Sequence, residues 1–497
     1  MKLFHLVVAV LLVFVLLSCG PTAEPKATDT ERVSDTIKPP ANLLSGLHQR
    51  LYKAHDTFKE TSITDRRFKH ADVEPLLLAL DTSFQVRPLG ESVEERPIYE
   101  VQIGSGEIPV LLWSQMHGDE PTATMALLDI FNFFQASGDE FDDLREQLLD
   151  ELSLHFIPLL NPDGAEVYER RNALGVDLNR DALRLQSPES RILKAARERT
   201  QAVWGFNLHD QNRYYAAGKH PNTASISFLA PAYNEAKDID EGRGDAMQLI
   251  VLMNEVLQQY IPGKVGRYDD TFEPRAFGDN MQKWGTNTIL IESGGLAGDR
   301  EKQYLRKLHF IVLLTALEAI ATGAYEQAPQ AAYDNIPYNA SADYHDLILR
   351  EVEREYEGKA YITDIAFRLN EVSFNQDKSF YLRAHISDIG DLSTQYGYDE
   401  FDGEGYRLVS GRTYEQVLAD YEALQQLDLG HLLRQGYTTF QLKQRPSRAL
   451  NHTKPVEVVS PGTQPANKVR LFGNPSLLLE KNGTYQYAVI NGQLYEL

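Results

Sequence analysis

Three segments far apart in this chain carry side chains that fit together chemically. His117 and Glu120 stand three residues apart in Met116-His-Gly-Asp-Glu120, while His209 and Glu292 each end an apolar run, in Leu208-His-Asp210 and Ile291-Glu-Ser-Gly-Gly295. Two histidines and one carboxylate form a zinc-binding donor set that leaves a fourth coordination position open, which distinguishes a catalytic centre from a closed structural one. A further carboxylate such as Glu292 can take a proton from water, and an arginine can balance the oxyanion formed by attack on a carbonyl. Between Glu120 and His209 runs Glu169-Arg-Arg-Asn-Ala-Leu-Gly-Val-Asp-Leu-Asn-Arg-Asp-Ala182, which supplies Arg170, Arg171, Asn179 and Arg180. The planar fork of Arg180, beside the Asn179 amide, suits a carboxylate. In a chain with thirteen histidines one His-x-x-Glu spacing arises by chance, so only the conjunction of these groups is informative.

Their placement follows from the apolar pattern. Strands are expected over Pro97–Ile103, Ile108–Trp113, Leu152–Leu160, Val203–Leu208 and Thr286–Ile291, and helices over Thr122–Gln135, Glu189–Thr200, Asp245–Tyr260 and Glu301–Ala321. Pro121 opens the helix that follows His117 and Glu120. Alternating strands and helices from residue 43 to 325 predict an α/β domain. Each polar group then sits at the carboxyl end of a strand, where open α/β sheets hold their ligands: Met116–Glu120, Asn161–Gly164, His209 and Glu292. The Asn161-Pro-Asp-Gly164 stretch taken alone reads as a β-turn.

These motifs, in this order, resemble the zinc carboxypeptidase family across about residues 45–325: His-Gly-Asp-Glu, Asn-Pro-Asp-Gly, Arg-x-Asn followed by Gly-Val-Asp-Leu-Asn-Arg-Asp, a later histidine, and Ile-Glu-Ser-Gly-Gly. The resemblance implies a mixed, twisted sheet of about eight strands between helices. It also implies one zinc per chain held by His117, Glu120 and His209, with Glu292 as general base, Arg170 polarising the scissile carbonyl, and Asn179 and Arg180 gripping a terminal carboxylate. The substrate would be a peptide with a free C-terminus, either a nutrient peptide or a stem peptide of the cell wall. Members carry a capping tyrosine shortly before the base; Tyr268 is the nearest candidate, although Gly266-Arg-Tyr-Asp-Asp270 does not match that pattern. Two other functions remain open: a zinc amidohydrolase that removes acyl groups from N-acyl amino acids, and a non-catalytic peptide-binding lipoprotein. Asp119 and Asp210 are either carboxylates that orient the ligand histidines or surface turn residues.

The N-terminus is a separate element. Lys2 precedes an unbroken apolar run, Leu6–Leu17, and then Leu16-Leu-Ser-Cys-Gly20 with Cys19, the only cysteine. The run is too short to span a bilayer and suits a signal peptide. Its end resembles the lipobox of bacterial lipoproteins, which implies that Cys19 is lipidated and becomes the mature N-terminus when the signal segment before it is removed. The expected location is therefore a membrane surface facing the periplasm or the exterior, with the membrane contacted through the lipid only. Residues 20–42, rich in Pro, Thr and charge, read as a tether. With no second cysteine no internal disulfide forms. A net charge of −22 disfavours nucleic acid as a partner.

Beyond the α/β domain, residues 326–350 read as a linker and 351–497 as a smaller β-rich accessory domain without a repeat or a metal cluster. Strands are expected over Tyr361–Leu369 and Ser379–Ile386, and short helices over Thr413–Leu427 and Gly430–Gly436. Asn482-Gly483 and Asn491-Gly492 predict two closing hairpins.

Overall fold

A computed structural model of the chain describes residues 37–40, 43–340, 344–445, 455–463, 465 and 467–497. The signal segment 1–19 with Cys19, and all of the tether but 37–40, lie outside the described residues. Eight strands form the first sheet: β1 (Gln85–Glu91), β2 (Pro97–Ile103), β3 (Ile108–Ser114), β4 (Leu152–Ile157), β5 (Trp204–Asp210), β6 (Ile226–Leu229), β7 (Val265–Arg267) and β8 (Asn287–Ser293). Their spatial order is β1-β2-β4-β3-β5-β8-β6-β7. The central pairs β4/β3, β3/β5 and β5/β8 are parallel, and β1/β2, β2/β4 and β8/β6 are antiparallel, so the sheet is mixed.

A central strand covered on both faces needs an apolar residue at every position. In β3 the alternation divides cleanly. Val110 and Leu112 join the large core under the helices Thr122–Gln135, Glu241–Gln258 and Gln303–Thr322, whereas Leu111 and Trp113 enter a smaller core with Leu193, Phe277 and Met281. Helix Gln303–Thr322 is apolar over most of its length, yet Arg306 is fully buried in it. Its Nε donates to Oδ2 of Asp129 at 2.7 Å and its Nη1 to the carbonyl of Ile63 at 2.7 Å, so the cation is answered inside the core. Among the described residues no helix is long and apolar enough to cross a membrane.

The second sheet starts with β9 (Tyr344–Tyr356), β10 (Lys359–Phe374) and β11 (Ser379–Gly390), an antiparallel meander. It is extended through Arg407–Ser410 to the hairpins Leu477–Lys481/Thr484–Ile490/Gln493–Glu496. Both turn pairs have positive φ at each residue, 54° and 78° at Asn482-Gly483 and 50° and 66° at Asn491-Gly492, as a tight type I′ connection requires. One expected helix is different. Arg412–Leu418 is a strand paired in parallel with Tyr437–Leu442, and only Tyr421–Gln425 of that stretch is helical. The helix begins where a cap exists: Asp420 accepts the Ala423 N–H at 2.9 Å. Upstream, Thr413, Tyr414 and Val417 favour a pleated surface.

Within 326–350 the chain is shared between the two sheets. Ala328, Ala332, Tyr333 and Ile336 are buried in the large core of the first, and Tyr344 already belongs to β9. The sheets are joined by ion pairs. Glu371 of β10 receives Arg66 and, at 2.9 Å, Arg67, while Asp346 of β9 receives Arg213 at 2.7 Å.

Candidate active site

The loop that leaves β3 turns at once, with Gln115 at φ 49°, and carries His117 and Glu120 to the carboxyl edge of the sheet. Gly118 lies so close to the next loop that a Cβ there would sit 2.0 Å from the Gly164 carbonyl carbon, so this crossing requires glycine. That next loop is Asn161-Pro-Asp-Gly164, and it is a helix start rather than a free turn. Asn161 Oδ1 accepts the Gly164 N–H at 2.9 Å, and Pro162 takes the first position of helix Pro162–Val167. The Asn161 amide also donates to the Met116 carbonyl at 3.3 Å and the Arg170 carbonyl at 3.5 Å, tying together the loops that carry His117 and Arg170.

His117, Glu120 and His209 meet at the carboxyl ends of β3 and β5, all buried, with one ligand atom of each within 4.8 Å of the others. Nδ1 of His117 lies 3.1 Å from Nδ1 of His209, and the Glu120 oxygens lie 2.7 Å from the first and 2.6 Å from the second. Nε2 of His117 donates to Oδ1 of Asp177 at 3.1 Å, which leaves Nδ1 with the lone pair turned toward the cluster. Tetrahedral zinc, with bonds of about 2.0–2.1 Å, spaces its ligand atoms about 3.3 Å apart. Two imidazole nitrogens and a carboxylate converging at these separations fit that ion. Burial alone would raise the Glu120 carboxyl, but His117 and His209 hold it well below the usual carboxylate range.

Asp177 received no role from its position in the sequence, yet it organises the site. Oδ1 takes the His117 ring and the Asn179 N–H at 3.0 Å, and Oδ2 takes Nε of Arg170 at 3.0 Å. One carboxylate thus sets a ligand histidine, an arginine and the loop that bears Asn179. The clue was its place between the two arginine segments, and the question that finds it is which group orients the ligand ring. Asp119 and Asp210 do not do this. Oδ1 of Asp119 is buried without a hydrogen-bond partner among the described residues, and burial followed by the charge of Glu120 pushes its carboxyl up to about 6. Asp210 accepts from Thr122 at 2.7 Å and Lys302 at 2.9 Å, and meets the ligand set only through its backbone N–H, 3.2 Å from Glu120. Asp177→Asn should therefore weaken zinc binding about 10- to 100-fold in competition with a chelator. An unchanged zinc affinity would show that Asp177 merely braces the loop.

The remaining residues arrange themselves around this cluster. Arg170 Nη1 donates to His117 Nδ1 at 3.0 Å and to Glu120 at 3.1 Å, whereas Arg171 turns outward to the Gly175 carbonyl. Glu292 stands in register with His209 on the adjacent parallel strands β5 and β8. Its carboxyl has no hydrogen-bond partner among the described residues, and burial, then the charge of Glu120, pushes it well above the usual carboxylate range. Asn179 Oδ1 accepts the Phe277 N–H at 2.8 Å, and Arg180 lies 3.5 Å from Glu273 with two-fifths of its side chain exposed. Tyr268 follows β7 and packs edge-on to Tyr215 at 6.1 Å. Burial, then the charge of Glu292, raises its phenol above the ordinary value.

Residues 79–226 match the family model described as zinc carboxypeptidase. His117, Glu120, Arg170, Asn179, Arg180 and His209 fall inside the match; Glu292 and Tyr268 lie beyond it. The chain is 28% identical over 191 residues to carboxypeptidase SOL1 of Arabidopsis thaliana, covering 31% of this chain and 38% of that protein. It is 37% identical over 112 residues to carboxypeptidase E of Caenorhabditis elegans, covering 19% of this chain and 24% of that protein. In both cases it spans well under half the length of the relative. Among solved structures, a metallo-carboxypeptidase from Burkholderia cenocepacia is 20% identical with a TM-score of 0.41, covering 51% of this chain and 69% of that one. Over residues 79–226, then, the chain is similar to the zinc carboxypeptidase family.

Proposed function

We propose that this protein removes the C-terminal residue from peptides, with one zinc at His117, Glu120 and His209. The observation that carries this reading is the pairing of an unpartnered carboxyl, Glu292, in register with the ligand His209. Zinc held by these three residues supplies Lewis acidity, which acidifies water and polarises a carbonyl. Glu292 accepts the proton of the attacking water and returns it to the leaving nitrogen. A raised proton affinity suits a group that must keep that proton between the two transfers. Arg170, held by Asp177, offers its guanidinium to the oxyanion. Asn179 and Arg180 grip the terminal carboxylate and so fix which bond meets Glu292.

The test is to incubate the zinc-loaded protein with free-acid peptides, cell-wall stem peptides and N-acyl amino acids and read the products by mass spectrometry. Stepwise loss of C-terminal residues is expected. Release of acyl groups from N-acyl amino acids, with peptides left intact, would move the assignment to an amidohydrolase. Intact substrates throughout would leave a binding protein.

We further propose that the protein is exported and anchored through a lipid on Cys19. Cys19→Ser should yield an unlipidated precursor with its signal segment retained, read by mass and by partition into detergent. Lipidation that persists in this variant would refute anchoring at Cys19, since the chain has no other cysteine.

A further inference from the structure

A cleft of about 570 Å³ opens beside the ligand cluster, with Glu120, Arg170 and Asp210 in its wall. Asn179, Arg180 and Phe277 do not line it. If the C-terminus of a peptide is held at Arg180, as the carboxypeptidase reading requires, the residues before the scissile bond pass the ligand cluster into this cleft. One wall comes from the segment after β8, Gly294–Lys302, and another from Glu371 of the second sheet.

Nearly every cation in the cleft is already answered. Arg66 meets Glu371, Arg170 meets Asp177 and Glu120, Arg213 meets Asp346 at 2.7 Å, and Lys302 meets Asp210 at 2.9 Å. Arg300 alone among these cations has neither a hydrogen bond nor an ion pair among the described residues. It is partly buried, and burial followed by the neighbouring positive charge of Arg213 lowers its pKa from the ordinary arginine value, against the opposing charges of Asp346 and Glu371. A guanidinium that has lost water without gaining a partner is poised to take an anion. The carboxylates nearby are spent on other bonds: Glu371 is shared by Arg66 and Arg67, and Asp299 accepts the N–H groups of Tyr304 and Leu305 at 3.0 and 2.9 Å. Asp119, which has no such bond at Oδ1, lies toward Glu120. Arg300 lines this cleft and also the adjoining cavity with Asp346, Leu369 and Tyr398, which Asp119 does not line, and Asp346 is already taken by Arg213.

We propose that Arg300 forms a subsite for a carboxylate-bearing residue on the acyl side of the scissile bond, so that the enzyme prefers acidic peptides. The second sheet takes part in this subsite. Its Asp346 and Glu371 bond to Arg213 and Arg66, so their charges reach Arg300 only through space and leave its guanidinium N–H groups without an acceptor among the described residues.

The test uses labelled hexapeptides with a free C-terminus, carrying Glu or Gln at each of the three positions before the scissile bond in turn. Competitive cleavage by the zinc-loaded protein gives the Glu:Gln ratio of kcat/KM, and fluorescence anisotropy on the Glu292→Gln protein gives the ratio of Kd without turnover. At one position Glu should be favoured about tenfold, the lower range for a charge-assisted bond at a partly exposed group. Arg300→Gln should bring that ratio close to one, and Arg300→Lys should restore part of it. Equal handling of Glu and Gln at all three positions would overturn the subsite, and so would a full preference in a folded Arg300→Gln protein. An Arg300-dependent binding preference without release of any C-terminal residue would keep the subsite and remove the carboxypeptidase reading.

Discussion

Glu292→Gln is expected to keep zinc at its wild-type stoichiometry while lowering kcat about 10²- to 10⁴-fold, the range of a lost general base. The two readouts separate because Glu292 lies beside the ligand set and is not one of its donors: the convergent atoms are those of His117, Glu120 and His209. Gln keeps the size of the side chain and removes its capacity to take a proton. The complementary change, His209→Ala, removes one of three donors and should abolish stoichiometric metal and activity together. Metal analysis and a peptide assay on the same preparations decide the matter. Near-normal turnover in Glu292→Gln would assign water activation to another group, and full zinc occupancy in His209→Ala would remove that histidine from the ligand set.

Amidating the substrate C-terminus should lower kcat/KM roughly 10- to 150-fold, corresponding to about 1.5–3 kcal/mol for a hydrogen bond to a charged group. The estimate sits below that for a fully desolvated pair because Arg180 is 40% exposed and already faces Glu273 at 3.5 Å. Arg180→Ala should cause a loss of similar size on the free acid and make the enzyme nearly indifferent to amidation. Each change deletes half of one interaction, so the two effects should not add. Free and amidated peptides cut equally well by the unaltered enzyme would rule out an exopeptidase that recognises the terminal carboxylate.

What could be read from the sequence was local or periodic. The strand Pro97–Ile103 and the helix Thr122–Gln135 have the bounds expected from their apolar pattern, because burial on one or two faces is written directly into residue spacing. His117 and Glu120 share one short loop, so their proximity needs no tertiary argument. The two Asn-Gly hairpins are equally local, since positive φ at both residues is a property of the dipeptide.

Only the tertiary structure decided which distant groups meet. His209 and Glu292 become neighbours because β8 adds beside β5, out of chain order, and strand order depends on how the sheet buries its faces rather than on any motif. Asp177 looks like any acidic loop residue until the fold brings its two oxygens between His117 and Arg170. Residues 413–418 joined a sheet although Thr413–Leu427 read as a helix, because pairing with Tyr437–Leu442 outweighed a weak local preference. The same holds for Arg300. Its charge is plain in the sequence, but its lack of a hydrogen bond or ion pair among the described residues follows from Arg213 and Arg66 taking Asp346 and Glu371, residues contributed by a different sheet.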